Sequence, residues 1–124
     1  MRANWYTEKL DAFSLSIGHT LIIPKRHYSK VQDMNNEYSS AIFDLLRVVT
    51  AAVEKATGAK ASTIAIHNGV EAGQVILHVH IHIIPRFSDD GAGPVHSMFK
   101  NRPNINSEEM DSMLERIKEV LELS

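Results

Sequence analysis

Apolar positions group the chain into two short runs and two amphipathic stretches. His19-Thr20-Leu21-Ile22-Ile23 becomes continuously apolar and stops at Pro24, which predicts a short, largely buried strand. From about Asn36 to Thr57, Ile42, Leu45, Leu46, Val49 and Val53 recur at helical spacing; Asn35 or Asn36 supplies an N-cap and Gly58 a stop. Ala61 to Ile66 is β-prone and ends in His67-Asn68-Gly69. A loop with glycines at 69 and 73 then leads into the second apolar run, Val75 to Ile84, closed by Pro85. These two segments predict adjacent antiparallel strands. Upstream, Trp5 to Phe13 mixes aromatic and polar residues as an extended segment would, and Ser14 to Gly18 has turn composition. Residues 88–106, holding Gly91, Gly93, Pro94 and Pro103, carry no regular pattern and read as a surface excursion. Ser107 caps a last helix with Glu108 and Glu109 in its first turn and Met110, Met113, Leu114, Ile117 and Leu121 on one face.

This order lacks a strand-helix-strand repeat. It therefore predicts an α+β fold: an antiparallel sheet of about five strands with two main helices covering one face, in a single domain over 1–124. An uncovered sheet face or edge at this size points to a symmetric homodimer.

Composition narrows the chemistry. With 124 residues, 44% hydrophobic, and a formal net charge of −2, the chain has no cationic field to hold a nucleic-acid polymer. No run of eighteen apolar residues occurs and the first residues do not resemble a signal peptide, so no membrane span and a cytoplasmic setting are expected. Cysteine is absent, which removes disulfides, thiol nucleophiles and thiolate zinc sites, whereas histidine occurs seven times.

Three of those histidines alternate in Leu77-His78-Val79-His80-Ile81-His82-Ile83-Ile84. Because strand side chains alternate between faces, His78, His80 and His82 share one face and are spaced by roughly 6.6 Å at the backbone. Independent placement of seven histidines would give such a pattern in roughly 2% of chains this long, so chance is a poor account. A metal site is the sharper alternative. It lacks an obvious further ligand, the closest carboxylates in sequence being Glu71 and Asp89 in loops, and no metal is assigned.

The string from Gly73-Gln74 through His78-Val79-His80-Ile81-His82 to Pro85-Arg86 resembles the signature of the histidine triad superfamily, and Gly18 to His27 resembles that family's upstream strand. The resemblance extends over most of Asp11 to Arg86 and implies a HIT-like fold similar to bacterial and diadenosine polyphosphate hydrolase-like members. It also implies a small nucleotide as partner and attack on the α-phosphorus by the middle histidine, His80, through a covalent nucleotidyl-imidazole. His82 then contacts the phosphate oxygens. His78 joins His19 in a supporting network, although His19 also reads as a buried structural histidine. Gln74 donates to the phosphate or leaving group, or else is a turn residue. Gly69 and Gly73 let backbone N–H groups approach phosphate, or simply shape the turn. Asp11 falls where relatives bind the ribose hydroxyls, or else is a surface acid, and Leu10 and Ala12 beside it either touch the base or belong to ordinary packing.

Position 67, Asn or Gln in many relatives, is His67 here, which adds a titratable group beside sugar or phosphate. Position 75 is Val75, where the phosphoramidase branch tends to have Ser. The resemblance favours hydrolysis of dinucleoside polyphosphates or related conjugates, over an adenosine 5′-phosphoramidase or a low-turnover nucleotide-binding module. No cofactor is required for the chemistry, though a divalent ion can accompany a polyphosphate. Arg86 is a candidate for distal phosphates. His96, Lys100 and Arg102 lie in the irregular segment, which reads as either a lid or a plain loop.

Overall fold

In the computed structural model, residues 6–11 and 14–123 are described, with 6–10 as backbone. Trp5, Ala12 and Phe13 of the expected first segment lie outside the described residues. The chain divides into two units, 1–91 and 92–124.

Among the described residues, unit 1–91 holds a four-stranded antiparallel sheet and one α-helix. Its strands are β1 (Tyr6–Leu10), β2 (Thr20–Pro24), β3 (Ala61–Ala65) and β4 (Ile81–Arg86), in the order β1-β2-β4-β3. The described residues thus hold four strands where about five were expected. The helix α1 spans Asn36–Thr57. Asn35 is its N-cap, accepting a hydrogen bond from the Tyr38 N–H at 2.9 Å, and Gly58 ends it at φ 80°, a left-handed position that favours glycine. Ile42, Leu45 and Leu46 of α1 meet Ile22, Ile81 and Ile83 of the sheet in one buried cluster. Burial of each isoleucine contributes about 1.5–3 kcal/mol.

Along β2, Thr20, Ile22 and Pro24 are buried while Leu21 and Ile23 turn to the opposite face. The strand is entered through Gly18, at φ +90°, where an added Cβ would come within 2.5 Å of Thr57 Cγ2. Glycine there admits the close approach of the β2 entry to the end of α1.

The expected strand from Val75 to Ile84, closed by Pro85, is shifted. Regular pairing begins at Ile81 and runs through Pro85 to Arg86. Thr20 pairs with Ile83 and Ile22 with Ile81, a register that would next set Pro24 against Val79. Pro24 has no N–H to offer the Val79 carbonyl and its own carbonyl is taken by His78 Nε2, so β2 ends there and Val79 N–H donates to Tyr28 O at 2.7 Å. At the other end, Pro85 sits beyond the start of β2, paired with Ser62 of β3, where its missing N–H costs no ladder bond to β2. Ahead of the paired strand Leu77 is half exposed, whereas Val79, Ile81 and Ile83 are buried.

Unit 92–124 contains one short 3-10 turn, Val95–Met98, and the helix α2 (Ser107–Leu123). The cap of α2 is the residue before the one expected: Asn106 Oδ1 accepts from Glu109 N–H at 2.8 Å, and Ser107 is already helical. Met110, Met113, Leu114, Ile117 and Leu121 of α2 are all exposed. No helix among the described residues is long and apolar enough to cross a membrane.

Candidate functional site

His78, His80 and His82 line one cavity of about 550 Å³, although only His82 lies in the regular part of the strand and His78 sits at a bend. Asp11 and His67 share the wall, and Leu21, Ile23, Val75 and Ile76 give it an apolar side.

Hydrogen-bond partners fix the tautomers. His80 Nδ1 lies 2.8 Å from His78 O, and a carbonyl only accepts, so Nδ1 carries the proton and Nε2 keeps its lone pair. His78 Nε2 lies 2.8 Å from Pro24 O and is likewise the protonated nitrogen. The carbonyl that Pro24 presents at the end of β2 thereby anchors the first ring of the row.

His82 is set from behind. Leu15 N–H donates to His19 Nδ1 at 3.1 Å, which leaves the His19 proton on Nε2. That N–H faces His82 Nδ1 at 2.9 Å, so His82 accepts there and holds its own proton on Nε2. His82 Nε2 is buried and has no hydrogen-bond partner among the described residues, leaving a donor on a ring that lines the cavity. Burial first, and then the neighbouring imidazoles of His80, His19 and His67, push His82 down to about 4, against the opposing field of Asp11. His19 is lowered for the same first reason, with Asp11 again opposing. Both rings are therefore neutral near pH 7.

Asp11 Oδ2 stands 3.5 Å from His19 Nε2 and 3.9 Å from His82 Nδ1. These three donors lie within 4.8 Å of one another, a spacing that a cation would accept. Ligation through His19 Nε2, however, would move its proton to Nδ1, where Leu15 N–H already points. The local bonding favours a proton over a metal between these rings.

The surroundings of the other expected residues are as follows. His19, only 1% exposed, does not line the cavity and backs His82 rather than joining His78. His78 instead has His27 edge-on at 5.1 Å between ring centroids. Gln74 is 5% exposed and both ends of its amide engage backbone: Oε1 accepts from Gly69 N–H at 2.8 Å and Nε2 donates to Ser29 O at 2.7 Å. It clamps the loop instead of facing the cavity. The Gly73 N–H donates to Val70 O, closing the 3-10 turn Val70–Ala72, so Gly73 offers close approach to the cavity but its amide is already used. Arg86 is held by Asp90 at 2.7 Å through Nε and by Thr63 at 2.9 Å through Nη1, which commits the guanidinium within β4 and the turn beyond it. The apolar wall formed by Leu21 and Ile23 was missed. Its signal was the same two-residue alternation that picked out the histidines, applied to β2.

A family model described as HIT domain matches residues 6–89. Among curated proteins, the chain is 43% identical over 81 residues to adenylylsulfatase HINT3 of Arabidopsis thaliana, covering 65% of this chain and 41% of that protein. It is 38% identical over 91 residues to an asymmetrical bis(5′-nucleosyl)-tetraphosphatase of Schizosaccharomyces pombe, covering 69% and 50%. The chain thus spans half or less of the length of these two relatives. Among solved structures, a HIT family member from Bacillus subtilis gives a TM-score of 0.83 at 27% identity, covering 96% of this chain and 84% of that one.

Proposed function

The chain belongs to the HIT domain family, and from that premise we propose that it is a nucleotide-binding hydrolase or nucleotidyl transferase. Its substrates are dinucleoside polyphosphates or related nucleoside-phosphate conjugates, cleaved at the α-phosphate through a covalent nucleotidyl-His80. The observation that carries this reading is the pair of tautomers: His80 with an unprotonated Nε2 and His82 with an unpartnered Nε2–H, their ring centroids 5.0 Å apart on one cavity wall.

In this reading the His80 Nε2 lone pair attacks the α-phosphorus while the bond to the leaving group breaks, and His78 O takes up the growing positive charge at Nδ1–H. His82 Nε2–H donates to a non-bridging oxygen and stabilises the charge gathering there. Water then attacks the same phosphorus, releasing His80 and the nucleotide. Leu21, Ile23, Val75 and Ile76 supply an apolar surface for the base. A divalent ion enters only as the companion of a polyphosphate substrate. A homodimer and a cytoplasmic setting belong to the same proposal, the first tested by sedimentation velocity.

The test is rapid trapping, without acid, of a covalent AMP adduct by mass spectrometry, with His80→Ala as control. An adduct of one AMP on wild type and none on the variant is the expected result. Active wild type without adduct, together with a fully active variant, would overturn the assignment. Following AMP release from a dinucleoside polyphosphate and from adenosine 5′-phosphoramidate separates the two substrate classes; a much faster phosphoramidate reaction would favour the second.

A further inference from the structure

We propose that His67 is a second acid-base residue of this site, giving a proton to the leaving group as its bond to the α-phosphorus breaks. The inference rests on the hydrolase reading above and adds a residue to it. His67 is the second residue past β3; its neighbour Ile66 packs against the apolar core, and His67 lines the cavity.

The four imidazoles on the cavity wall differ in how they are held. His78 gives its N–H to Pro24 O, His80 gives its N–H to His78 O, and His82 has its Nδ1 filled by His19. His67 makes a tilted ring contact with His82, at 5.2 Å between centroids, and neither of its nitrogens has a hydrogen-bond partner among the described residues. It is therefore the cavity imidazole whose two nitrogens are both open to a ligand. Both rings line the same cavity, so a ligand seated against His82 lies within reach of His67 as well.

The chemistry leaves a place for it. His80 is spent as the nucleophile. His82 is neutral at pH 7, with its lowered proton affinity, and can donate a hydrogen bond but has no second proton to release. The groups that resemblance assigned to the leaving group or phosphate are already engaged, Gln74 with Gly69 and Ser29, and the Gly69 and Gly73 amides within their own loop. The ionisable groups sharing the wall with it are Asp11, His78, His80 and His82.

The steps balance. His80 Nε2 forms the bond to phosphorus, the bond from phosphorus to the leaving oxygen or nitrogen breaks, and the His67 imidazolium transfers its proton to that atom. In the second step neutral His67 takes a proton from the attacking water, whose oxygen joins phosphorus as His80 departs.

The experiment compares wild type with His67→Gln and His67→Asn on two probes, the p-nitrophenyl ester of AMP and an alkyl ester of AMP. A p-nitrophenolate leaves without protonation, whereas an alkoxide requires it. Both variants are expected to keep kcat/KM nearly unchanged on the p-nitrophenyl ester and to lose about 100-fold or more on the alkyl ester. An equal loss on both probes would mark His67 as structural, and no loss on either would mark it as idle; each result overturns the proposal. Failure of the parent reading is distinct: wild type would then turn over neither probe and form no adduct at His80, which would remove the basis for this inference too.

Discussion

Lowering the pH should destabilise this protein in a way traceable to one ring. His82 titrates at about 4 in the folded chain against an ordinary value of 6.5, because burial and three neighbouring imidazoles penalise its charged form. Between these values the unfolded chain binds about one proton more than the folded one at this position. Stability therefore rises with pH, and the contribution is fully present above 6.5 and lost as pH falls toward 4. The slope is about 1.4 kcal/mol per pH unit, so moving from pH 6.5 to 5 removes about 2 kcal/mol, a sizeable part of the 5–15 kcal/mol typical of a domain. His19, also lowered, acts in the same direction. Urea unfolding of wild type and His82→Gln at pH 7 and pH 5 isolates the effect, because the remaining groups largely cancel in the double difference. The wild type should lose about 2 kcal/mol more than the variant. Equal losses, or a carbon-13 NMR titration placing His82 near 6.5 in the folded protein, would refute the reasoning.

Two further expectations follow from the hydrogen-bond pattern. Gln74→Ala leaves Gly69 N–H and Ser29 O without their partners and should cost about 2–4 kcal/mol in urea unfolding; unchanged stability with a fall in kcat alone would instead restore Gln74 to the phosphate. Nitrogen-15 NMR of the imidazoles near pH 7 should find the proton on Nδ1 in His80 and on Nε2 in His82 and His78, and a spectrum with His80 protonated at Nε2 would remove it as nucleophile.

Local rules made much of the fold legible. The cap at Asn35, the stop at Gly58 and the apolar spacing of Ile42, Leu45 and Leu46 place α1 as the structure has it. The three rings of the histidine row still line one cavity, although a bend at 76–78 precedes the paired strand and only His82 lies within it. The roles of Gln74 and Gly73 were not legible, since an amide has no preference written in sequence between a phosphate and a carbonyl. Ser29, which takes the Gln74 N–H, arrives from 45 residues upstream. The partners of Arg86 were not legible for a similar reason: Asp90 and Thr63 hold its guanidinium, and Thr63 is reached only across the pairing of β3 with β4.

The partner of His19 depended on register. With Leu21 opposite His82, His19 lies diagonally across from His82 on the same face, within reach of a ring-to-ring hydrogen bond. The same register carries His78 past the end of β2, beyond Pro24, so the two histidines expected to cooperate cannot meet. Ending the ladder has a chemical consequence as well. In a continuous sheet the carbonyl of residue 78 would be a candidate for a neighbouring strand, whereas here neither β2 nor β3 extends far enough to pair with it. His78 O is thus free to accept from His80 Nδ1 two residues later, which is the bond that leaves His80 Nε2 unprotonated. The apolar pattern suggests a longer strand than forms, and a nucleophilic His80 depends on that strand starting late. Pro24, by withholding one N–H from the ladder and giving its carbonyl to His78, couples the two.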